Sequence, residues 1–289
     1  MSDVKTNINW FPGHMTRAIR EIKEKINLVD MIIEVSDARA FFSSSNPIVK
    51  ELCQNKFYLK VLTKIDLADD NETLNIKKGL ENENIPCCCV NLNDKKQGNE
   101  IIKMIDKVAT PLKEKDIKRG LKPRNVRVMV VGIPNVGKST LINLLAKRNS
   151  APVGNTPGFT RAQKWVKCNG FDLLDTPGIL WPNLSDNQTG DKLALIGCIK
   201  EEILPTIDLL SIGLNYLNAN YHEMLYNKYG IEYDNFDDYL DKFSLKYGHL
   251  LKDGGHDVER SAKSILNDIK NGRVGKITFE RWNADYGKL

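Results

Sequence analysis

Residues 132–140 read Gly-Ile-Pro-Asn-Val-Gly-Lys-Ser-Thr, with a lysine and two hydroxyls directly after the second glycine. Glycines at 132 and 137 let successive N–H groups curl into a concavity that suits an oligophosphate. The backbone of Asn135, Val136, Gly137, Lys138, Ser139 and Thr140 is the candidate cradle, with the Lys138 ammonium reaching β- and γ-phosphates and Ser139 ligating Mg²⁺. The loop follows the apolar run VRVMVV and opens the helical pattern KSTLINLLAKR. A helix N-terminus in that position favours negative charge. The chemistry predicted is that of a nucleoside triphosphatase.

Two later segments supply groups such a site needs. DTPG, residues 175–178, ends the apolar run FDLLD. There Asp175 can hold a Mg²⁺-bound water and the Gly178 N–H can meet a γ-phosphate. GNTPGFTR, residues 154–161, is a Gly/Pro-punctuated loop in which Thr160, or its rival Thr156, can close over Mg²⁺. The residue after DTPG is Ile179, where many small GTPases have the Gln that orients water. Its side chain can neither donate nor accept a hydrogen bond, so the water-positioning group must come from elsewhere. His14 in WFPGHM is the candidate, as an imidazole able to accept a proton or align water. The competing reading makes Trp10, Phe11 and Pro12 a packing corner with a structural histidine.

Base choice is carried by TKID, residues 63–66, at the end of FYLKVL. The Asp66 carboxylate can accept from both N1–H and the 2-amino group of guanine, donors that adenine lacks. The Lys64 stem can lie along the base face. Thr63 stands where the GTPase pattern usually has Asn, keeping a hydroxyl for bridging neighbouring loops while losing the amide. PCCCVNLND places Asn91 and Leu92 where a backbone N–H could meet the guanine oxygen.

Six apolar or β-branched segments, at 30–36, 57–63, 86–92, 126–132, 164–168 and 171–175, must position these loops. Helical patterns lie between most of them, and the alternation predicts an α/β sheet with helices on both faces. No strand signal follows. From about residue 190 the chain reads as helices, the clearest being HDVERSAKSILNDIKNG. There Val258, Ala262, Ile265 and Ile269 form an apolar stripe, with Arg260, Lys263, Asn267 and Lys270 expected opposite, Asp257 as cap and Gly272 as stop. The expected division is a nucleotide-binding domain over 1–190 and a small all-α domain over 191–289.

A length of 289 residues agrees with two domains. There is no long apolar run able to span a bilayer and no signal-peptide pattern in MSDVKTNINW, so a cytoplasmic location is expected. Cys87, Cys88 and Cys89 alternate across a strand and lack metal or redox spacing. The net charge of +5 is too mild to demand a nucleic-acid partner. Its basic density concentrates in 111–127, where Gly120 and Pro123 suggest a linker that is either solvated or RNA-facing.

The loops occur in the order guanine, guanine, phosphate, switch, switch, which is a circular permutation of the usual GTPase order. Through WFPGHM, VSDARAFFSSSNP, TKID, GIPNVGKSTLIN, NTPGFTR, LDTPGILWP and GGHDVERSAKSILNDIKNGRVGKITFE the chain resembles the circularly permuted ribosome-biogenesis GTPases of the RbgA/YlqF family. The resemblance covers nearly the whole chain. It implies a Ras-like P-loop GTPase domain with a six-stranded sheet, and a helical C-terminal domain that contacts rRNA. It also implies a GTP hydrolase, stimulated by the large (50S) ribosomal subunit, that works with rRNA and ribosomal proteins as a late assembly checkpoint and leaves on hydrolysis to GDP. Carried onto this chain, it gives His14 a catalytic role and Asn135 a share in holding K⁺. The likeness of PGFTR to the PG-x-T segment of bacterial translation-associated GTPases favours Thr160 over Thr156. Arg260, Lys263 and Lys270 become candidate RNA contacts on a monomer. The alternatives are a GTPase acting on another RNA such as tRNA, and a GTP-dependent binding module with negligible turnover.

Overall fold

The computed structural model describes residues 20, 22–46, 49, 55–149, 165–168, 170–174, 187–199 and 205–285. The strands are β1 (Met31–Asp37), β2 (Phe57–Thr63), β3 (Cys87–Cys89), β4 (Val126–Val131), β5 (Trp165–Lys167) and β6 (Phe171–Leu174). They form one six-stranded sheet in the order β3-β2-β1-β4-β6-β5. All pairings are parallel except that of β5 with β6 at one edge.

β1 is buried along its whole length, as a central strand covered on both faces must be. Alternate side chains serve different cores. Met31, Ile33 and Val35 pack with Ile101, Ile105, Leu141 and Leu145 on one side. Ile32 packs with Ile22, Val29, Met129 and Leu174 on the other. The same strand carries Glu34, paired in register with Lys60 of β2 and ion-paired with it at 2.9 Å, both almost fully buried. The Glu34 carboxylate also accepts from the Asn46 N–H at 2.6 Å and from the Tyr58 hydroxyl. This buried pair fastens the segment after β1 against the sheet.

The helices between strands are α1 (Asp70–Asn82), α2 (Gly98–Lys118) and α3 (Lys138–Asn149). Asp69 caps α1 by accepting from the N–H groups of Asn71 and Glu72. The expected linker over 111–127 is only half a linker, because α2 runs on through Pro111 to Lys118. Burial of Ile101, Ile105 and Ala109 along one face outweighs the single hydrogen bond that proline removes. The helix stops at Gly120, whose φ of +70° suits glycine. Two of the cations there already have carboxylate partners: Arg124 grips Asp30 at 2.6 and 2.7 Å, and Lys113 pairs with Asp106 at 2.9 Å.

Beyond the sheet come α4 (Asn187–Leu195), α5 (Thr206–Tyr229), α6 (Phe236–Tyr247), α7 (Val258–Lys270) and α8 (Trp282–Asp285). α5 is kinked at Tyr221, where φ is −142° and ψ 37°. Leu209, Leu214, Leu217, Phe243, Ala262, Ile265 and Ile269 form a core continuous with that on the α2 face of the sheet. α7 starts and stops as its sequence predicts, with the Asp257 side chain accepting from the Arg260 N–H and Gly272 at φ +67°. Two face assignments need correction. Val258 is exposed, and Lys270 is half-buried against Gly197. At about 100° per residue, Lys270 falls on the flank of the apolar stripe and not opposite it.

Among the described residues no helix is long and apolar enough to cross a membrane. Cys87, Cys88, Cys89, Cys168 and Cys198 are free thiols. Burial pushes Cys88, Cys89 and Cys198 up to about 12, so they are protonated and inert at neutral pH.

Candidate nucleotide site

The parallel strands β2, β4 and β6 end on one edge of the sheet, where open α/β sheets bind ligands. The loop after β4 has the backbone its glycines foretell. Gly132 has φ +153°, and a Cβ there would lie 2.5 Å from the Val35 carbonyl oxygen of β1. Gly137 has φ +98° and Asn135 φ +60°. Lys138 is buried at the start of α3, and its Nζ donates to the Ile133 carbonyl at 2.5 Å across the mouth of its own loop. Ser139 and Thr140 follow, exposed in the first turn of α3.

The TKID loop is fastened to this cradle. Thr63 Oγ1 donates to the Val136 carbonyl at 2.6 Å and lies 3.1 Å from the Ser36 carbonyl, bridging β2 to the phosphate loop across β1. Lys64 takes φ +57° and pairs through Nζ with Asp37 Oδ2 at 2.9 Å. Asp66 is half-buried in the turn that follows. Leu92 reaches the cradle from the other side, with Cδ1 3.0 Å from where a Gly137 Cβ would sit. The Asn91 N–H is committed to Gln97 Oε1 at 2.6 Å. A guanine oxygen would therefore have to displace Gln97 or use a later amide.

Charged residues that sequence reasoning did not single out support this arrangement. Asp37, fully buried at the end of β1, accepts from Arg39 Nε at 3.0 Å and Nη2 at 2.9 Å as well as pairing with Lys64. Burial pushes the Asp37 carboxyl up, but the Arg39 and Lys64 cations outweigh that and hold it below the usual carboxylate range. Arg39 also donates to the carbonyls of Ile196 at 2.9 Å and Lys270 at 2.7 Å. The available signal was a pair of opposite charges, Asp37 and Arg39, directly following an apolar strand. Asn135 adds a parallel link, its Nδ2 donating to the Gly197 carbonyl at 3.2 Å.

The structure thus brings together Thr63, Lys64, Asp66, Leu92 and the phosphate loop over 132–140. His14, Thr160, Asp175 and Gly178 lie outside the described residues. Arg260 and Lys263 are exposed on α7, remote in sequence from the cradle. For a cation, the donors on view are oxygens: the Ser139 hydroxyl stands open beside the phosphate cradle. Among the described residues no three His, Cys, Asp or Glu side chains cluster as metal ligands. A hydroxyl beside bound phosphates fits Mg²⁺, which favours oxygen and retains water.

A model of the family described as 50S ribosome-binding GTPase matches residues 127–230. Ribosome biogenesis GTPase A of Bacillus pumilus is 39% identical over 277 residues, covering 95% of this chain and 98% of the relative. The chain belongs to the ribosome biogenesis GTPase A family. Two solved YlqF structures share the fold at 27% identity: a GDP-bound form with TM-score 0.68, covering 91% of this chain and 99% of that one, and a GNP-bound form from T. maritima with TM-score 0.66, covering 92% and 98%. As a member of this family, the chain is a circularly permuted P-loop GTPase with a helical C-terminal region, and P-loop GTPases generally use Mg²⁺. The permutation explains why the TKID loop after β2 precedes the phosphate loop after β4 in sequence while meeting it in space.

Proposed function

We propose that this GTPase binds the maturing large (50S) ribosomal subunit in the cytoplasm, and that the particle stimulates GTP hydrolysis as a late assembly checkpoint and release step. The carrying observation is the Thr63–Val136 bridge, which joins a guanine-selecting loop to a phosphate cradle in a chain of this family. In this reading Asp66 accepts the two guanine N–H donors and Lys64 covers the base, held by Asp37. Lys138 exchanges the Ile133 carbonyl for β- and γ-phosphate oxygens, and the N–H groups from Asn135 to Thr140 complete the cradle.

Ser139, Thr160 and, through water, Asp175 would hold Mg²⁺, which supplies charge neutralisation between the β- and γ-phosphates. Gly178 would present its N–H to the γ-phosphate, and His14 would align the attacking water, since Ile179 cannot. With the Asn135 amide nitrogen engaged by Gly197, its Oδ1 is the atom left for K⁺. The functional division is a GTPase domain over 1–190 and a helical RNA-binding domain over 191–289, acting as a monomer. Arg260 and Lys263, both exposed, are the proposed rRNA contacts. Lys270 is a weaker contact than its sequence position suggests, because its side chain is half-buried against Gly197.

The deciding experiment measures GTP and ATP hydrolysis alone, with immature 50S particles, with mature 50S particles and with tRNA. Selective stimulation of GTP turnover by the immature particle is expected. Stimulation by tRNA alone would move the substrate to another RNA, and no turnover under any condition would leave a binding module. Release is tested by cosedimentation, where equal retention in GTP-analogue and GDP states would contradict it.

A further inference from the structure

The segment between α7 and α8, residues 271–281, does not stay within the helical region. It crosses onto the loop that carries Asp66. The Ile277 N–H donates to the Leu67 carbonyl at 3.0 Å, and the Asp69 N–H donates to Thr278 Oγ1 at 3.0 Å. Both bonds fall just after Asp66, on the C-terminal side of the turn that holds it. They are not loose surface contacts: Ile277 and Thr278 are buried, and the Phe279 N–H continues the track by donating to the Arg39 carbonyl at 2.7 Å. Glu280, also buried, accepts from the N–H groups of Phe42 at 2.5 Å and Ser43 at 3.1 Å.

The opposite side of the TKID loop is held by the Lys64–Asp37–Arg39 chain, and Arg39 reaches Lys270 at the end of α7. Both flanks of Asp66 are therefore tied to the same stretch of chain. Fixed geometry matters here because a carboxylate that must accept two N–H donors at once loses discrimination when it is displaced by a fraction of an ångström.

We propose that the Ile277–Thr278 segment is a positioning clamp for guanine recognition, so that the C-terminal region sets base selectivity as well as any RNA contact. The inference rests on the assignment of Asp66 as the base selector. Thr278 acts through Asp69 and the Leu67 turn and touches no nucleotide itself. By reciprocity, guanine binding tightens the clamp by the same factor that the clamp tightens guanine binding.

The test compares affinities for GDP, IDP and ADP in the full chain. Inosine lacks the 2-amino group, so a well-placed Asp66 makes two bonds to GDP and one to IDP. Thr278→Val removes the acceptor for the Asp69 N–H at nearly constant shape. It should cut the GDP-over-IDP preference by about fivefold, whereas loss of folded protein alone would lower both affinities equally. Thr278→Ser keeps the hydroxyl and should restore the preference. An unchanged GDP-over-IDP ratio in a folded Thr278→Val chain overturns the clamp.

Hydrogen exchange on the unsubstituted chain decides the matter even if that variant does not fold. GDP should slow exchange of the Asp69 and Ile277 amides, and no slowing in GDP-saturated protein overturns the clamp. If the unsubstituted chain binds ADP as tightly as GDP, the base-selector assignment itself has failed.

Discussion

The Thr63 hydroxyl donates to the Val136 carbonyl at 2.6 Å, so the base loop and the phosphate loop are joined to each other directly and not only through the sheet. Thr63→Val removes that donor and leaves a buried carbonyl without it, a loss of about 1–3 kcal/mol. Part of this cost should fall on nucleotide affinity if, as proposed, the two loops grip opposite ends of one ligand. GDP and GTP affinities should both fall by about tenfold, measured by fluorescent-nucleotide titration, with a lower urea midpoint in the nucleotide-free protein.

Asp66→Asn tests base choice without touching the cradle. The amide can donate to the 2-oxo edge of xanthine, which the carboxylate repels. GTP binding should weaken and XTP binding strengthen in competition assays, with ATP unchanged. A variant that keeps its GTP preference would assign base selection to another group.

Glu34 and Lys60 offer a stability test inside the sheet. Lys60→Met leaves the Glu34 carboxylate buried, with the Asn46 N–H and the Tyr58 hydroxyl as its remaining partners. Breaking such a pair costs about 3–5 kcal/mol. Glu34→Gln combined with Lys60→Met removes the stranded charge and should recover part of that loss in chemical denaturation.

Lys270 gives a pH test. Desolvation lowers its folded-state pKa to about 8, below the ordinary lysine value, so the charged form is disfavoured in the fold. Between about pH 8 and 10.5 the unfolded chain holds the extra proton, and stability contributed at this site rises with pH across that window. Below pH 8 both states are charged and the penalty is constant. Lys270→Met should raise stability at pH 7 and flatten this rise, read from urea midpoints at pH 7, 8 and 9.5. Because the lysine is only half-buried, solvent screening keeps the effect modest.

The sheet was legible because each strand is a short β-branched or apolar run, and the phosphate loop because its glycines must take backbone angles such as those of Gly132 and Gly137. Asp66 was proposed from the chemistry of guanine, and the structure places it half-buried in the turn after β2. The linker reading of 111–127 started too early because the dense charge around Gly120 and Pro123 resembles a linker, while the buried face that carries α2 to Lys118 is set by packing on the sheet. Lys270 was misplaced because a flank position on a helix becomes buried only when a neighbour, here the turn at Gly197, covers it. The bond from the Ile277 N–H to the Leu67 carbonyl leaves no trace in side-chain identity, since any non-proline residue could donate it. Arg39 stood in a motif that was visible, but its two carbonyl acceptors belong to segments far away in sequence.

The bond between Asp69 and Thr278 spans 209 positions, which has a bearing on how the protein is made. During synthesis the N-terminal part of a chain emerges first, and at roughly 5–20 residues per second the wait for a partner this distant is on the order of 10–40 s. β1, β2 and the TKID loop thus leave the ribosome long before the segment that closes on them. A truncated or stalled product would carry the TKID loop without its brace, so under the proposed clamp selective guanine binding would come only to a chain extended past residue 278.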